Sequence, residues 1–372
     1  MSKSQMTTSD NLRQEVWHAD AFKDTLINNY FLDKFASDAL NMLESGGWEQ
    51  NYESSPDSVL QVKVDLEARG ETKKRKGDKI TFKLIYNIDP ETYAGVTGGQ
   101  VLEGNELSLD WADYSITLQR YRQAVAAAEP LSWHRAAFSI PESSRQALVN
   151  WGRRKIQLKC MQALATSPTT IFYNEAGTIK KTDTLATAKT ALTLANSKLT
   201  PLMVSFAKTW AMTGGGRASN QVPLMPIYVG GRPYYVLLTH PDAIYDWRND
   251  STVSQAHREA LERGKENPIF SGAEYIWDGV IIHTHEYVRK GTDAGSGSNV
   301  AWTHAHLLGQ QALLMAVGER PDLVDYYRDA KEDLFYAWRM TIEIAKPQFN
   351  SKDYGSLDIV VARTNVSGIA TS

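Results

Sequence analysis

The sequence has little of what builds covalent or cysteine-held scaffolds, and it has no long hydrophobic run. Its 372 residues contain one cysteine, Cys160, which excludes an internal disulfide and a zinc site built from several cysteines. No stretch of about 18 apolar residues is present, so no membrane-spanning helix and no membrane partner are expected. The first twenty residues are polar and carry acidic side chains, unlike a secretory signal. These absences predict an intracellular product.

The charge is nearly balanced, with 40 Lys plus Arg against 43 Asp plus Glu and a net charge of −3. A dedicated nucleic-acid-binding protein usually presents a strongly basic face, so the balance argues against that class. Hydrophobic residues make up 42% of the chain and charged residues 22%, as in ordinary globular proteins. At about 150 residues per domain, the length predicts two or three packed units.

Alternating apolar and polar residues predict strands in the first third of the chain. The alternation runs through Leu60–Leu66, Ile80–Ile88 and Tyr114–Leu118, with the charged segment Glu67–Lys79 between the first two. The pattern indicates a long two-stranded ribbon with a charged tip. Because such a ribbon is marginally stable alone, we expect it to need a partner surface. The segment Trp17–Leu43, which precedes the ribbon, is mildly amphipathic, and we interpret it as an arm that packs on another surface, such as that of another subunit.

The middle of the chain favours helices, and its end returns to strands. Apolar spacing after Pro141 predicts a long helix that ends before Ser167-Pro168, with basic residues on its wet side. Gly230-Gly231 between two apolar runs indicates a tight hairpin. Further helices are predicted at Thr184–Leu199, Pro241–Asn249 and Thr252–Gly264, and further strands at Val280–Val288, Tyr336–Ile344 and Leu357–Ala362. The whole predicts an α+β fold.

Two His-x-His pairs are the only metal-like spacing in the sequence. His283 with His285, and His304 with His306, would each place two imidazoles on one face of a strand. A catalytic metal site normally needs a third protein ligand, and no feature of the sequence indicates which acidic residue would supply it. The preferred interpretation is therefore that the four histidines are partly buried polar residues of strands. A metal-dependent hydrolase using His283 and His285 stays as the alternative function.

The other candidates for chemistry are weaker. Cys160 lies between apolar residues of the long helix, where a free cysteine acts as a small hydrophobe. The run Gly214–Gly216 with Arg217 lacks the Gly-Lys-Ser/Thr ending of a phosphate loop. The basic cluster Lys73–Lys76 is surrounded by Glu67, Glu71 and Asp78 and lacks aromatic residues for base stacking, so it indicates a solvated tip or an ion-pairing contact with another subunit. We predict no catalytic residue, no metal and no cofactor.

Several short stretches form a set in order along the chain: Val64–Glu67, Gly77–Phe82, Gly95–Gly98, Leu102–Glu106, Pro226–Val229, Tyr234–Leu237 with His240-Pro241, Asn267–Gly272, Asp278–Val280, Lys346–Asn350 and Asp353–Gly355. Together they resemble the coliphage N-four-like family of tailed-phage major capsid proteins. The order of elements is similar as well. Each match is short, and together they run from Val59 to Val361.

The resemblance implies the Hong Kong 97 fold and a division of the chain. It implies an N-terminal arm over 1–58 and an extended β-hairpin loop with flanking strands over 59–121. A peripheral domain with a long spine helix would occupy 122–200, and an axial domain 201–327. Residues 328–372 would supply closing strands of the peripheral domain and a tail. A longer insertion at Gly70–Lys76 departs from the family pattern.

The resemblance also implies a function and partners. The chain would self-assemble into hexamers and pentamers of an icosahedral shell around double-stranded DNA, held without sequence specificity. It would be made in the bacterial host cytoplasm, with scaffolding, portal and decoration proteins as possible partners, and we expect no cleaved scaffolding segment. Lysine–asparagine cross-links from Lys73, Lys74 or Lys76 to Asn350 are disfavoured, since no positioned acid is visible. The expected inter-subunit contacts in the extended loop are Lys73, Lys74, Arg75, Lys76, Asp78, Glu103, Asn105 and Glu106.

Overall fold

The structure is a computed structural model that describes residues 29–36, 52–64, 79–84, 112–126, 140–214, 223–229, 231–261, 275–328 and 333–365. Its helices are α1 (Tyr30–Phe35), α2 (Ile140–Ala165), α3 (Leu185–Thr190), α4 (Pro201–Thr213), α5 (Pro241–Arg248) and α6 (Ser251–Leu261). Its strands up to residue 239 are β1 (Tyr52–Glu53), β2 (Leu60–Val64), β3 (Lys79–Leu84), β4 (Ala112–Thr117), β5 (Gln119–Ala126), β6 (Ile171–Glu175), β7 (Thr178–Thr182), β8 (Ile227–Val229) and β9 (Arg232–Thr239). The later strands are β10 (Tyr275–Trp277), β11 (Val280–Thr284), β12 (Lys290–Ala294), β13 (Val300–Leu308), β14 (Leu313–Arg328), β15 (Asp333–Ala345), β16 (Gln348–Phe349), β17 (Lys352–Asp353) and β18 (Ser356–Ala362).

A five-stranded sheet packs against the long helix α2. Its order is β1-β2-β14-β15-β5, with β2 parallel to β14 and the other pairs antiparallel. Alternate residues of β15 are buried, so one face of the strand meets the core and the other is half-exposed. Trp338 lies on the buried face, and its ring leaves no room for a side chain at Gly152, where a Cβ would come within 2.6 Å. The helix and sheet therefore approach closely at this point.

A nine-stranded sheet forms the second layer. Its main order is β10-β11-β9-β13-β18-β6-β7, with β12 beside β13 and β8 beside β9. The central strand β18 is buried along its whole length. One face of the sheet packs on α4 and α5 through residues such as Leu307 of β13 and Ile359 of β18. The opposite face carries Val360 of β18, which packs against α3. A strand covered on both faces needs apolar residues at nearly every position, which explains the run Ile359–Ala362.

Two of the connections that carry the chain between the two sheets lie side by side. The β13–β14 and β17–β18 connections touch through backbone, and Gly309 N–H donates to Gly355 O at 2.9 Å. A Cβ at Gly355 would lie 2.5 Å from Gln310 O, so only glycine fits there. Beside the crossing, the buried pair Lys346 Nζ and Asp353 Oδ2 are 2.9 Å apart. This contact, with a hydrogen bond from Thr169 N–H to Asp353, anchors the β16–β17 turn.

Most predicted elements are confirmed, with corrections at their ends. The helix after Pro141 and the hairpin at Gly230-Gly231 are present, as are the late strands. The strand predicted at Val280–Val288 stops at Thr284, because the chain turns and the His285 imidazole accepts a hydrogen bond from Tyr287 N–H. The helix predicted at Thr184–Leu199 stops at Thr190, beyond which the Ser197 side chain bonds the backbone.

The arm and the predicted ranges map onto the two sheets unevenly. Of the predicted arm, residues 29–36 pack within this chain, with Phe31 and Leu32 fully buried in the core under the five-stranded sheet. The nine-stranded sheet draws strands from each of the ranges 122–200, 201–327 and 328–372. In particular, β15 lies in the five-stranded sheet and β18 in the nine-stranded one, so the last range contributes to both.

Candidate functional surfaces and buried histidine clusters

The hairpin β3–β4 is the described base of the predicted extended loop. Its apolar residues Ile80, Phe82 and Leu84 are buried against Leu314 and Ala316 of β14 in the same chain. The expected partner surface is thus supplied by the same chain. The predicted pairing is corrected, because β2 pairs with β1 and β14 while β3 pairs with β4, so the segments on either side of Glu67–Lys79 do not pair with each other in the described residues. All the expected contact residues lie outside the described residues, namely Lys73, Lys74, Arg75, Lys76, Asp78, Glu103, Asn105 and Glu106.

The strand β5 forms one edge of the five-stranded sheet among the described strands. Its residues are mostly exposed, and they include Arg120 and Arg122. Tyr121 holds the strand in place, since its hydroxyl donates to Glu343 at 2.8 Å while Lys159 lies over its ring at 4.9 Å. Burial raises the pKa of Tyr121, which keeps the hydroxyl protonated as a donor. The charged edge discourages uncontrolled strand pairing with other chains.

The helix α4 is apolar on two sides. Its inner side packs Met203 and other residues on the nine-stranded sheet. Its outer side exposes Leu202, Phe206 and Met212, whose exposed fractions are 72%, 41% and 56%. These positions share one side of a helix, and the Phe206 ring also meets Phe172 edge-on at 5.6 Å. Ser205 and Thr209 lie among them, but three large apolar side chains exposed on one side of a helix still have the character of an interaction surface.

The pair His283 and His285 is enclosed by aromatic rings. The Tyr30 ring lies 6.2 Å from His283 and 5.1 Å from His285, and the Phe35 ring lies 5.6 Å from His283. Burial lowers the pKa of His285, so its imidazole is held neutral. Among the described residues, no Asp, Glu or Cys joins the pair to complete a group of three metal ligands. The geometry therefore gives the hydrolase alternative no support.

The pair His304 and His306 gathers a carboxylate that the sequence did not nominate. His304 Nδ1 lies 2.6 Å from Asp358 Oδ2, and His306 Nδ1 lies 3.1 Å from Asp358 Oδ1. All three side chains are buried. Burial alone would raise the pKa of Asp358, but the two imidazoles outweigh it and hold the pKa below its usual range. Burial lowers the pKa of His306. The available signal was a single acid inside the apolar strand Leu357–Ala362.

The remaining candidates have structural roles. Cys160 is fully buried in α2, and burial raises the pKa of its thiol, which removes it as a nucleophile. Gly214 caps α4 in the left-handed conformation at φ 61°, and Gly215 to Arg217 lie outside the described residues. Asn350 sits in the β16–β17 turn at φ 48°. None of the described helices is long and apolar enough to cross a membrane.

With this geometry in hand, a family model described as "Phage capsid protein" matches residues 8–198 and 217–345. The chain belongs to that family. This phage capsid protein is 24% identical over 326 residues to the major capsid protein of Pseudomonas phage KPP25, a match that covers 78% of this chain and 86% of that protein. The match agrees with the sequence resemblance at the level of phage major capsid proteins.

Solved capsid structures share the fold of this capsid protein. The capsid of Ralstonia phage GP4 gives a TM-score of 0.68 at 20% identity, covering 86% of this chain and 92% of that one. The capsid asymmetric unit of cyanophage Pam1 gives a TM-score of 0.64 with the same identity and coverage. The protein is a phage major capsid protein with a mixed α/β capsid fold, and so a structural component of the virion rather than an enzyme.

Proposed function

We propose that this capsid protein forms hexamers and pentamers of an icosahedral shell with the Hong Kong 97 fold, within the coliphage N-four-like family. The shell encloses double-stranded DNA. The observation that carries the proposal is the apolar outer side of α4, formed by Leu202, Phe206 and Met212, on a chain with a capsid fold. Exposed apolar side chains grouped on one helix are stabilised when another surface covers them.

The occupant of that surface is a second copy of the chain. Rings of identical subunits use head-to-tail contacts, in which two different patches of the same molecule meet. A second exposed apolar patch lies at the β8–β9 turn, where Tyr228 and Val229 are 65% and 56% exposed. A contact between the α4 patch of one subunit and the β8–β9 patch of the next satisfies the requirement for two different surfaces.

We assign the predicted domains to the sheets by their packing. The five-stranded sheet with α2 corresponds to the peripheral domain and its spine helix, and β3–β4 to the base of the extended loop. The nine-stranded sheet with α4, α5 and α6 corresponds to the axial domain. Because β6, β7 and β18 belong to that sheet, the proposed axial domain takes in parts of 122–200 and 328–372 as well as 201–327. Residues 1–58 remain the proposed arm.

The proposed contacts with other molecules follow from charge. The loop residues Lys73 to Lys76 and Asp78, with Glu103, Asn105 and Glu106, offer both signs of charge for ion pairs with a neighbouring subunit. The net charge of −3 suits a shell that holds DNA without gripping its phosphates. Scaffolding, portal and decoration proteins complete the proposed partners. Synthesis takes place in the host cytoplasm.

Electron microscopy of the expressed full chain tests the proposal directly. We expect closed shells, tubes or isolated rings, alone or after addition of phage lysate that supplies a scaffold. Rings with five- and six-fold symmetry would establish the oligomers. A chain that stays monomeric or dimeric in the presence of the lysate contradicts the proposal.

A further inference from the structure

We propose that His304, His306 and Asp358 bind one divalent transition-metal ion of the zinc type, which stabilises the nine-stranded sheet. The two histidines are two residues apart on β13, and Asp358 is paired directly with His306 on β18. One ligand atom from each side chain can be chosen so that all three lie within 4.8 Å of one another. Two imidazoles and a carboxylate are a ligand set that zinc accepts in proteins.

The charge of the cluster calls for a cation. Asp358 is 3% exposed, and in the described chain its side chain is hydrogen-bonded to His304 through Oδ2, at 2.6 Å. A buried carboxylate is costly unless a positive charge accompanies it. The nearby Lys346 is bonded to Asp353 at 2.9 Å. A divalent ion at the cluster would supply the missing charge.

The second oxygen of Asp358 gives a second observation. Asp358 Oδ1 is buried 3.1 Å from His306 Nδ1, and it makes no hydrogen bond among the described residues. Buried polar atoms in native proteins are nearly always paired, and an orphaned one often marks a bound water or ion. Such an atom inside the cluster indicates that something besides the polypeptide completes it.

The geometry needs little adjustment to hold an ion. Zinc binds nitrogen and oxygen at about 2.0–2.2 Å, which sets neighbouring tetrahedral ligands about 3.3 Å apart. The present separations from Asp358 oxygens are 2.6 Å for His304 Nδ1 and 3.1 Å for His306 Nδ1. Small ring rotations open that space. The ion binds the Nδ1 atom of each ring, and the ring then carries its proton on Nε2.

The site is structural rather than catalytic. The relative exposures of the three residues are between 0% and 3%, so no substrate reaches them. The ion enters during folding, and its binding energy then adds to the stability of the folded sheet. This inference stands independently of shell assembly.

Cobalt binding to the purified full chain tests the proposal, because Co²⁺ replaces Zn²⁺ and absorbs visible light when bound. After chelator treatment and dialysis, we expect the chain to bind one added Co²⁺ ion. The bound ion should give the visible absorption band of four- or five-coordinate Co²⁺, and it should raise the melting temperature of the protein. Asp358→Asn keeps the shape and removes the charge, and it should weaken Co²⁺ binding by more than the roughly 100-fold that loss of an outer-shell partner costs. His285→Asn is the matched control, since that residue belongs to the other His-x-His pair, and binding should be unchanged.

Each other outcome overturns the proposal. A folded chain that gives no cobalt band at millimolar Co²⁺ has no such site. Equal binding by Asp358→Asn and the unmodified chain, or loss of binding in His285→Asn alone, would move the site elsewhere. If Asp358→Asn fails to fold, His306→Gln takes its place, since it leaves the bond between His304 and Asp358. The cobalt spectrum of the unmodified chain decides the question in either case.

Discussion

The two sheets of this capsid protein differ in how their strands are buried. In β15 of the five-stranded sheet, every second residue is buried and the residues between are half-exposed. In β18 of the nine-stranded sheet, all seven residues are buried. The first strand has one covered face and the second has two. The difference teaches that a sheet in the middle of a shell subunit can be as fully enclosed as a parallel sheet between helices.

The largest loss of stability is expected from substitutions in β18, where side chains on both faces of the strand are buried. Ile359→Ala and Val360→Ala should both destabilise, by about 2–5 and about 1–3 kcal/mol respectively, because the two side chains fill opposite faces. In β15, Ile342→Ala should cost about 2–5 kcal/mol, and its neighbour Thr341→Ala about 1 kcal/mol, which is the worth of its hydrogen bond to Glu319. Urea unfolding of the four variants measures this. A β18 in which only one of the two changes matters would break the comparison.

Acid should weaken the nine-stranded sheet specifically. Burial, with a smaller contribution from Lys290, lowers the pKa of His240 at the end of β9 to about 4. Its unfolded pKa is near 6.5, so the stability it contributes is complete above about pH 6.5 and is lost as the pH falls toward 4. Each unit of that shift corresponds to about 1.4 kcal/mol.

His240→Asn provides the matched test of the acid effect. The His240 ring caps α5 by accepting from Asp242 N–H, and Asn caps helices equally well without titrating. We expect the variant to lose less stability than the parent chain between pH 7 and pH 5, as measured by urea unfolding at each pH. Parallel curves for the two proteins would assign the acid sensitivity to other groups.

A moderate effect is expected where α2 meets the five-stranded sheet. Gly152→Ala adds a Cβ within 2.6 Å of the buried Trp338 ring, and overpacking of this kind costs about 1–3 kcal/mol. Asn150→Ala, at an exposed position of the same helix, should leave stability within about 0.5 kcal/mol. Thermal unfolding compares the two. Stabilisation by Gly152→Ala would mean that the ring moves aside and helix propensity prevails.

The smallest effect on stability is expected on the outer side of α4. The double variant Leu202→Asp, Met212→Ser should change the unfolding free energy by at most about 1 kcal/mol, because both side chains are more than half exposed. It should nevertheless abolish particles in electron microscopy. Thr178→Asp, at an exposed position of β7, is the control for an added charge. Normal particles from the double variant would exclude α4 as an assembly surface.

Local patterns were enough to predict the elements but not their pairing. The alternation in Tyr336–Ile344 and the spacing after Pro141 are properties of short segments, and both predictions are confirmed. The joining of β18 to β13 and β6 depends on contacts between residues far apart in the chain, which no local period encodes. Likewise, Asp358 meets His304 only because two distant strands pair in one register. The extended-loop contacts remain a prediction, since those residues lie outside the described part of the chain.

The backbone contact between Gly309 and Gly355 bears on how a closed shell acquires curvature. In the shell proposed above, the same chain would occupy both five-fold and six-fold surroundings, which differ in the angle between neighbours. Because a Cβ at Gly355 would lie 2.5 Å from Gln310 O, the crossing has no slack for one sheet to swivel against the other. In that proposed shell each subunit would tilt as a single block, and the change of angle between vertex and facet would be taken up at the contacts between molecules.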